Sequence, residues 1–327
     1  MKLNNNKNMS YPLFTSINKE YLELNTSLRE GETKLGQVVK CFDDFNDFEG
    51  KYVVVGVRED VGPRANLGLA GAKNGFDAFV KRFLNVQSNR FFSGEQVLLY
   101  GVIDFEVQST NVADLRAGVS RLDDLLVEHL VAIYKKGCVP ILIGGGHNNA
   151  YPLMKAFNQE TRKNINVINC DPHADFRALE GRHSGNSFSY AKEQGFLARY
   201  SVLGLHQSYN SEEMLCRMEE LECYFTFFED YLLGKRDLNN DVESVMSLYE
   251  NEAVGVELDL DAIVGMPSSA YTPSGITLEQ ARKYVVQTKQ TGSVVYLHLP
   301  EGGPKNDVES AVVGKSLVYL VMDFMKA

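Results

Sequence analysis

Short apolar runs bounded by turn residues recur along the chain at 52–57, 97–102, 139–143, 165–169, 201–205, 224–228, 253–258 and 294–297. Several are apolar throughout rather than alternating, the pattern of strands covered on both faces. Most of the intervening segments repeat apolar residues every three or four positions. The clearest is 113–136, where Val119, Leu122, Leu126, Leu130 and Ile133 share one face and Gly137 supplies a stop. The same periodicity predicts helices over 211–222, 240–250, 277–288 and 308–325. Strands alternating with helices predict an α/β fold, a mainly parallel sheet with helices on both faces. Ligands of such sheets bind outside the carboxyl ends of the strands, so chemistry is expected there.

At 327 residues the chain has room for about two average domains. No internal repeat and no Pro-, Gly- or Ser-rich linker divides it, so one catalytic domain over 31–327 is expected after a flexible N-terminal tail, 1–30. Lys and Arg number 33 against 43 Asp and Glu, a net charge of −10. Such a surface repels phosphate, which argues against nucleic acid or an anionic membrane as partner. No stretch approaches the ~20 apolar residues of a membrane span, and the Asn-rich start lacks the apolar core of a secretory signal. Five cysteines, an odd number without a CxxC pair, read as buried thiols of a cytoplasmic protein.

Three strand ends carry the unusual residues. The run 139–143 leads into Gly144-Gly145-Gly146-His147-Asn148, and 165–169 into Asp171-Pro172-His173-Ala174-Asp175. The run 253–256 leads into Glu257-Leu258-Asp259-Leu260-Asp261. In extended backbone Asp171, His173 and Asp175 project to one side, as do Asp259 and Asp261. With His147 they make two imidazoles and four carboxylates, enough charge to neutralise two divalent cations, and mixed N/O ligation suits Mn²⁺. A bridged pair lowers the pKa of water from 15.7 towards ~7, which predicts hydrolysis at an electrophilic carbon.

GGGHN, DPHAD and ELDLDAI resemble the three signatures of the ureohydrolase superfamily (arginase, agmatinase, formimidoylglutamase and relatives), which read approximately GGxHS, DAHxD and SxDxD. The stretch Asn66–Ala72 followed by Gly75 is similar to that family's Gly-rich segment before its first helix. The resemblance implies a three-layer α/β/α sandwich on an eight-stranded, mainly parallel sheet, two Mn²⁺ per subunit and a homo-oligomer. It also implies that His147 and Asp175 hold one metal and His173 and Asp261 the other, with Asp171 and Asp259 bridging or flanking. Asp175 would in addition orient the attacking hydroxide and help return a proton to the leaving amine.

Two stretches bear on the substrate. After the second signature comes Ser184-Gly185-Asn186-Ser187-Phe188. SGN is as in arginases, whereas Phe188, where arginases carry a proton-shuttling His, resembles formimidoylglutamases. Ser184 and Asn186 are expected to bind the amino-acid end of a substrate, and His183 is the remaining candidate for the shuttle. After the last strand the family commonly has a Glu in a DIVEVNP-like segment, which holds the guanidinium or formimino group. Here His298 stands in that register with Glu301 three residues on. Either Glu301 reaches the site, or His298 changes what is bound. The expected reaction is hydrolysis of N-formimino-L-glutamate to L-glutamate and formamide. Release of urea from arginine, agmatine or another guanidino acid is the alternative, and a non-catalytic amino-acid-binding oligomer a third. A dinucleotide site is excluded, because the glycine run at 144–146 lacks GxGxxG spacing.

Overall fold

The structure, a computed structural model, describes residues 11–327. Among them ten strands form one sheet: β1 (Leu13–Ser16), β2 (Lys40–Cys41), β3 (Tyr52–Arg58), β4 (Val97–Asp104), β5 (Val139–Ile143), β6 (Ile165–Cys170), β7 (Leu197–Leu205), β8 (Tyr224–Phe227), β9 (Ala253–Leu258) and β10 (Ser293–Leu299). The order across the sheet is β1-β4-β3-β5-β10-β9-β6-β7-β8, with β2 pairing β4 off this path. Every pairing is parallel except β1 with β4.

All eight strands predicted from the apolar runs are present, as β3 to β10. β1 and β2 are additions at one edge, too short and too polar to show in the pattern. β1 corrects the expected N-terminal tail. Leu13–Ser16 pairs with β4 and Lys19–Leu24 forms helix α1, capped by Asn18, so order begins well before residue 30. Residues 1–10 of that stretch lie outside the described residues.

The other helices are α2 (Val61–Ala65), α3 (Gly75–Phe83), α4 (Val112–Lys135), α5 (Ala150–Thr161), α6 (Ser187–Glu193), α7 (Glu212–Glu220), α8 (Phe228–Leu232), α9 (Leu238–Leu248), α10 (Leu278–Thr291) and α11 (Asp307–Lys326). Strand residues of opposite parity feed two cores. Tyr52 and Val54 of β3 pack with Phe79 of α3, Val242 of α9, Val285 of α10 and Leu320 of α11. Val53 and Val55 pack on the other face with Leu122 of α4, Met154 of α5 and Phe188 of α6. This is the three-layer sandwich. Caps agree with the sequence: the Asn111 side chain accepts from the Ala113 and Asp114 N–H groups to start α4, and Thr277 with Gln280 forms a capping box on α10.

All five cysteines are free; Cys41, Cys138 and Cys170 are buried, but Cys216 is exposed on α7, which corrects the reading of five buried thiols. No helix among the described residues is long and apolar enough to cross a membrane. The strand order supplies what spacing along the chain does not. β5, β10, β9 and β6 are consecutive neighbours, so the segments that follow them meet at one end of the sheet.

Candidate metal centre and cleft

The chain turns sharply where each of these strands ends. The Asp171 Oδ1 atom accepts the His173 N–H at 2.7 Å, and Asp259 Oδ1 accepts the Asp261 N–H at 2.9 Å. These Asx turns replace the extended backbone expected from i, i+2 spacing, and converge the side chains by a different route. Each leaves Oδ2 outside the turn bond, and Asp171 Oδ2 also accepts from the Asn169 amide at 3.1 Å. The Asp171, Asp175 and Asp259 Oδ2 atoms stand 3.1, 3.0 and 3.1 Å from His147 Nδ1. His173 Nδ1 lies 3.2 Å from Asp261 Oδ2 and 3.5 Å from Asp171 Oδ1. The six side chains therefore form two donor groups, His147-Asp171-Asp175-Asp259 and Asp171-His173-Asp261, that share Asp171. Asp175 reaches its place only with a left-handed backbone, φ 47°, a conformation costing a non-glycine residue roughly 1–3 kcal/mol.

This donor set fits a cationic metal cofactor. Three carboxylate oxygens crowd one imidazole nitrogen, yet neither ring nitrogen of His147 has a hydrogen-bond partner of good geometry, and Asp261 Oδ1 has none either. Burial, and then the charge of Asp171, pushes the Asp175 carboxyl above its ordinary value; burial and the neighbouring Asp261 and Asp171 push Asp259 well above. Asp261 is raised to about 6, mainly by burial. Burial pulls the His147 imidazole down, but the surrounding carboxylates of Asp171, Asp175, Asp259 and Glu257 outweigh it and hold His147 well above the usual histidine range. The cluster thus demands positive charge, as a cation site does.

Above it lies a cleft of about 150 Å³ whose lining includes His173, Asp175, Asp259, Asp261, Ser184 and Glu301. Of the two candidates after the last strand, Glu301 is the one that lines the cleft. It is 4% exposed, its Oε1 accepts the His147 N–H at 2.9 Å, and its Oε2 accepts from the Ser269 hydroxyl. Like Asp175 it needs a left-handed backbone, φ 68°. Burial, then the Asp259 charge, pushes its carboxyl up to about 8. His298 is absent from the cleft. It is fully buried beneath His147, with Nδ1 2.6 Å from Glu257 Oε2.

Three further expectations are corrected. Asn186 spends its side chain on the loop itself: Oδ1 accepts from the His183 N–H and Arg182, and Nδ2 donates to the Gly181 and Ala178 carbonyls. Phe188 is fully buried, stacked 4.3 Å from Tyr200 and edge-on to His147 at 5.3 Å, so its side chain does not line the cleft. His183 is buried too, accepting the Gly185 N–H at Nδ1 and facing Glu180 with Nε2 at 3.1 Å. Burial and the Arg116 charge push it down to about 4, well below the range of a proton shuttle at neutral pH. Ser184 keeps its expected place in the cleft wall.

The comparisons with known proteins bear on the family and the fold. Residues 51–323 match the family described as the arginase family. The chain belongs to that family. It is 26% identical to a formimidoylglutamase of Macrococcus caseolyticus over 302 residues, covering 87% of this chain and 89% of that one. A formimidoylglutamase of Aeromonas salmonicida is 26% identical over 81% of this chain and 84% of its own. Among solved structures, formimidoylglutamase from Bacillus subtilis superposes with a TM-score of 0.75 at 15% identity, covering 91% of this chain and 94% of that one. Trypanosoma cruzi formiminoglutamase with Mn²⁺ superposes at 0.72 and 20% identity, covering 90% and 98%. These structural likenesses confirm the arginase-family fold.

Within this family member, several cleft residues escaped the sequence reading. Arg177 lies two residues past Asp175, Tyr209 and Asn210 follow β7, and Ser269 sits in the loop after β9. Asn210 ties the β7 loop to the second signature, accepting the Ala174 N–H and donating to the Pro172 carbonyl. Strand-end position could have found Tyr209 and Asn210, and Tyr209 stacks on the His173 ring at 5.3 Å. Ser269 carried no signal. The loop over residues 181–186 hangs on Arg182, 4% exposed, which bonds Asp123 of α4 at 2.9 Å, Asn186 Oδ1 at 2.8 Å and the Asn148 carbonyl at 2.8 Å.

Proposed function

We propose that this chain is a hydrolase of linear amidines that uses two Mn²⁺ ions and converts N-formimino-L-glutamate and water into L-glutamate and formamide. The observation that carries the reading is a pair of donor groups sharing Asp171 on the floor of a cleft that holds a buried carboxylate, Glu301, and a half-exposed guanidinium, Arg177. His147, Asp171, Asp175 and Asp259 would hold one ion, and Asp171, His173 and Asp261 the other. When bound, the ions supply Lewis acidity and bring the pKa of water from 15.7 towards ~7.

The side chains divide the remaining work. Glu301 faces the cleft with Oε2 beside Ser269, placed to accept N–H bonds from an amidinium, whose positive charge favours its ionised form. Asp175, with Oδ2 turned to the ion, would keep Oδ1 to hold the proton that returns to the leaving amine. Arg177, with the Ser184 hydroxyl and the Asn66 amide beside it, favours an acidic substrate. N-formimino-L-glutamate presents two carboxylates, arginine one and agmatine none, and this ranks the substrates. The same reading makes the enzyme cytoplasmic and homo-oligomeric, supported by its free cysteines and by the ureohydrolase resemblance.

The test is product analysis on Mn²⁺-loaded protein. Formamide and glutamate from formiminoglutamate, without urea from arginine or agmatine, support the reading, and Arg177→Met should raise KM far more than it lowers kcat. Urea from a guanidino substrate, or an Arg177→Met enzyme with unchanged KM, would sink it.

A further inference from the structure

Beneath His147 lies a third cluster that the proposed chemistry does not use. Glu257 on β9 and His298 and Tyr296 on β10 are all fully buried, on the face of the sheet that packs against α4, α5 and α6. The Glu257 Oε1 atom accepts from the Tyr296 hydroxyl at 2.7 Å, and Oε2 lies 2.6 Å from His298 Nδ1. Oε2 also faces His147 Nε2 at 3.3 Å. Carboxylates thus flank both ring nitrogens of His147, three aspartates at Nδ1 and Glu257 at Nε2, with Phe188 edge-on to its ring at 5.3 Å. Glu257 stands where the third family signature has Ser, and His298 where the family commonly has Glu, one departure in each of two strands. The pairing of β9 with β10 sets them opposite each other.

We propose that Glu257, locked in place by His298 and Tyr296, is a positioning residue that fixes the orientation and tautomer of His147. The Nε2–H is directed at the carboxylate and the Nδ1 lone pair at the metal. A histidine ring has one proton to place when neutral, and a carboxylate at one nitrogen decides that the other is the ligand. The inference rests on the metal reading above. His298 is then a clamp on that carboxylate, and Glu301 alone takes the substrate-facing role that the sequence left open between them.

The experiment is Mn²⁺ titration of the metal-stripped full chain, followed by electron paramagnetic resonance of free Mn²⁺, for wild type, Glu257→Gln and His298→Leu. Wild type should bind two ions. Glu257→Gln should weaken the ion at His147 by ~10–100-fold while the ion at His173 and Asp261 keeps its affinity, a site-selective loss that a general loosening of the fold would not give. His298→Leu should weaken the same ion in the same direction, and it carries the test if the Gln variant does not fold. In ¹⁵N-histidine spectra of Zn²⁺-loaded wild type, the His147 ring should show a protonated Nε2, lost or shifted in both variants. Unchanged affinities, or equal loss at both ions, would overturn the positioning role while leaving the metal reading intact. Three ions per chain, one of them lost in Glu257→Gln, would overturn it by making Glu257 a ligand. A wild-type chain that binds no Mn²⁺ overturns the metal reading and this inference together.

Discussion

Arg182→Met tests how the substrate loop is held. The guanidinium bonds Asp123 at 2.9 Å, Asn186 Oδ1 and the Asn148 carbonyl each at 2.8 Å, and lies 4.5 Å from the Tyr151 ring centre. Both members of the ion pair are almost fully buried. Removing one partner of such a pair leaves an uncompensated charge and costs about 3–5 kcal/mol. That is a large part of the ~5–15 kcal/mol that holds a typical domain together. Denaturant unfolding of the metal-free protein at pH 7 should therefore shift by about 3 kcal/mol or more, on the same estimate. Adding Asp123→Leu to the variant should recover most of the loss, since a buried pair replaced by apolar groups is often near neutral.

The loss also has a pH signature. Burial already pushes Asp123 up to about 6 against the pull of Arg182, and without the guanidinium it rises further. In the variant the native state then keeps a proton that the unfolded chain has released above its ordinary value of 3.8. Stability must fall as pH rises from there until it passes the native value. The deficit of Arg182→Met should accordingly be smaller at pH 5 than at pH 7. A deficit below about 1 kcal/mol, a pH-independent one, or a double variant no better than the single would refute the account of a desolvated pair.

Three more outcomes are expected. Chelation should lower the melting temperature and Mn²⁺ restore it, with about 2.7 kcal/mol gained at a hundredfold excess over Kd; scanning calorimetry across a Mn²⁺ series checks this. His183 is held at about 4, below its ordinary 6.5, so the unfolded chain takes up a proton first and stability drops as pH falls between those values. His183→Gln should flatten that part of the unfolding profile and leave the neutral limb of the activity profile unmoved. Phe188→His should not confer arginine hydrolysis, because position 188 packs behind His147 against Tyr200; a urea assay and a melting curve should show no new activity and a less stable protein.

Residue types and strand-end position made most of the site legible. His147, Asp171, His173, Asp175, Asp259 and Asp261 were read from three short segments, and the structure brings all six together. What stayed hidden depends on sheet order and local turns. Only the adjacency of β9 and β10 shows that His298 faces Glu257, and only the left-handed backbone at Glu301 shows that this carboxylate turns into the cleft. Motif reading assigned Asn186 and Phe188 outward roles because a polar or aromatic residue in a loop carries no mark of which way it points. In the structure the one ties its own loop and the other fills the core. The edge strand Leu13–Ser16 escaped notice for the opposite reason: its residues are mostly exposed and have no apolar pattern to show.

The left-handed backbones at Asp175 and Glu301 set laboratory evolution against function. Glycine adopts that conformation without the steric penalty a side chain brings, so Asp175→Gly and Glu301→Gly are among the substitutions that relieve local strain. Each would also lift a buried carboxylate out of a crowded acidic cluster. A library sorted only for thermal tolerance or soluble yield should therefore enrich variants that dismantle the acidic floor of the cleft. One sorted for turnover should retain both residues and accept a softer fold.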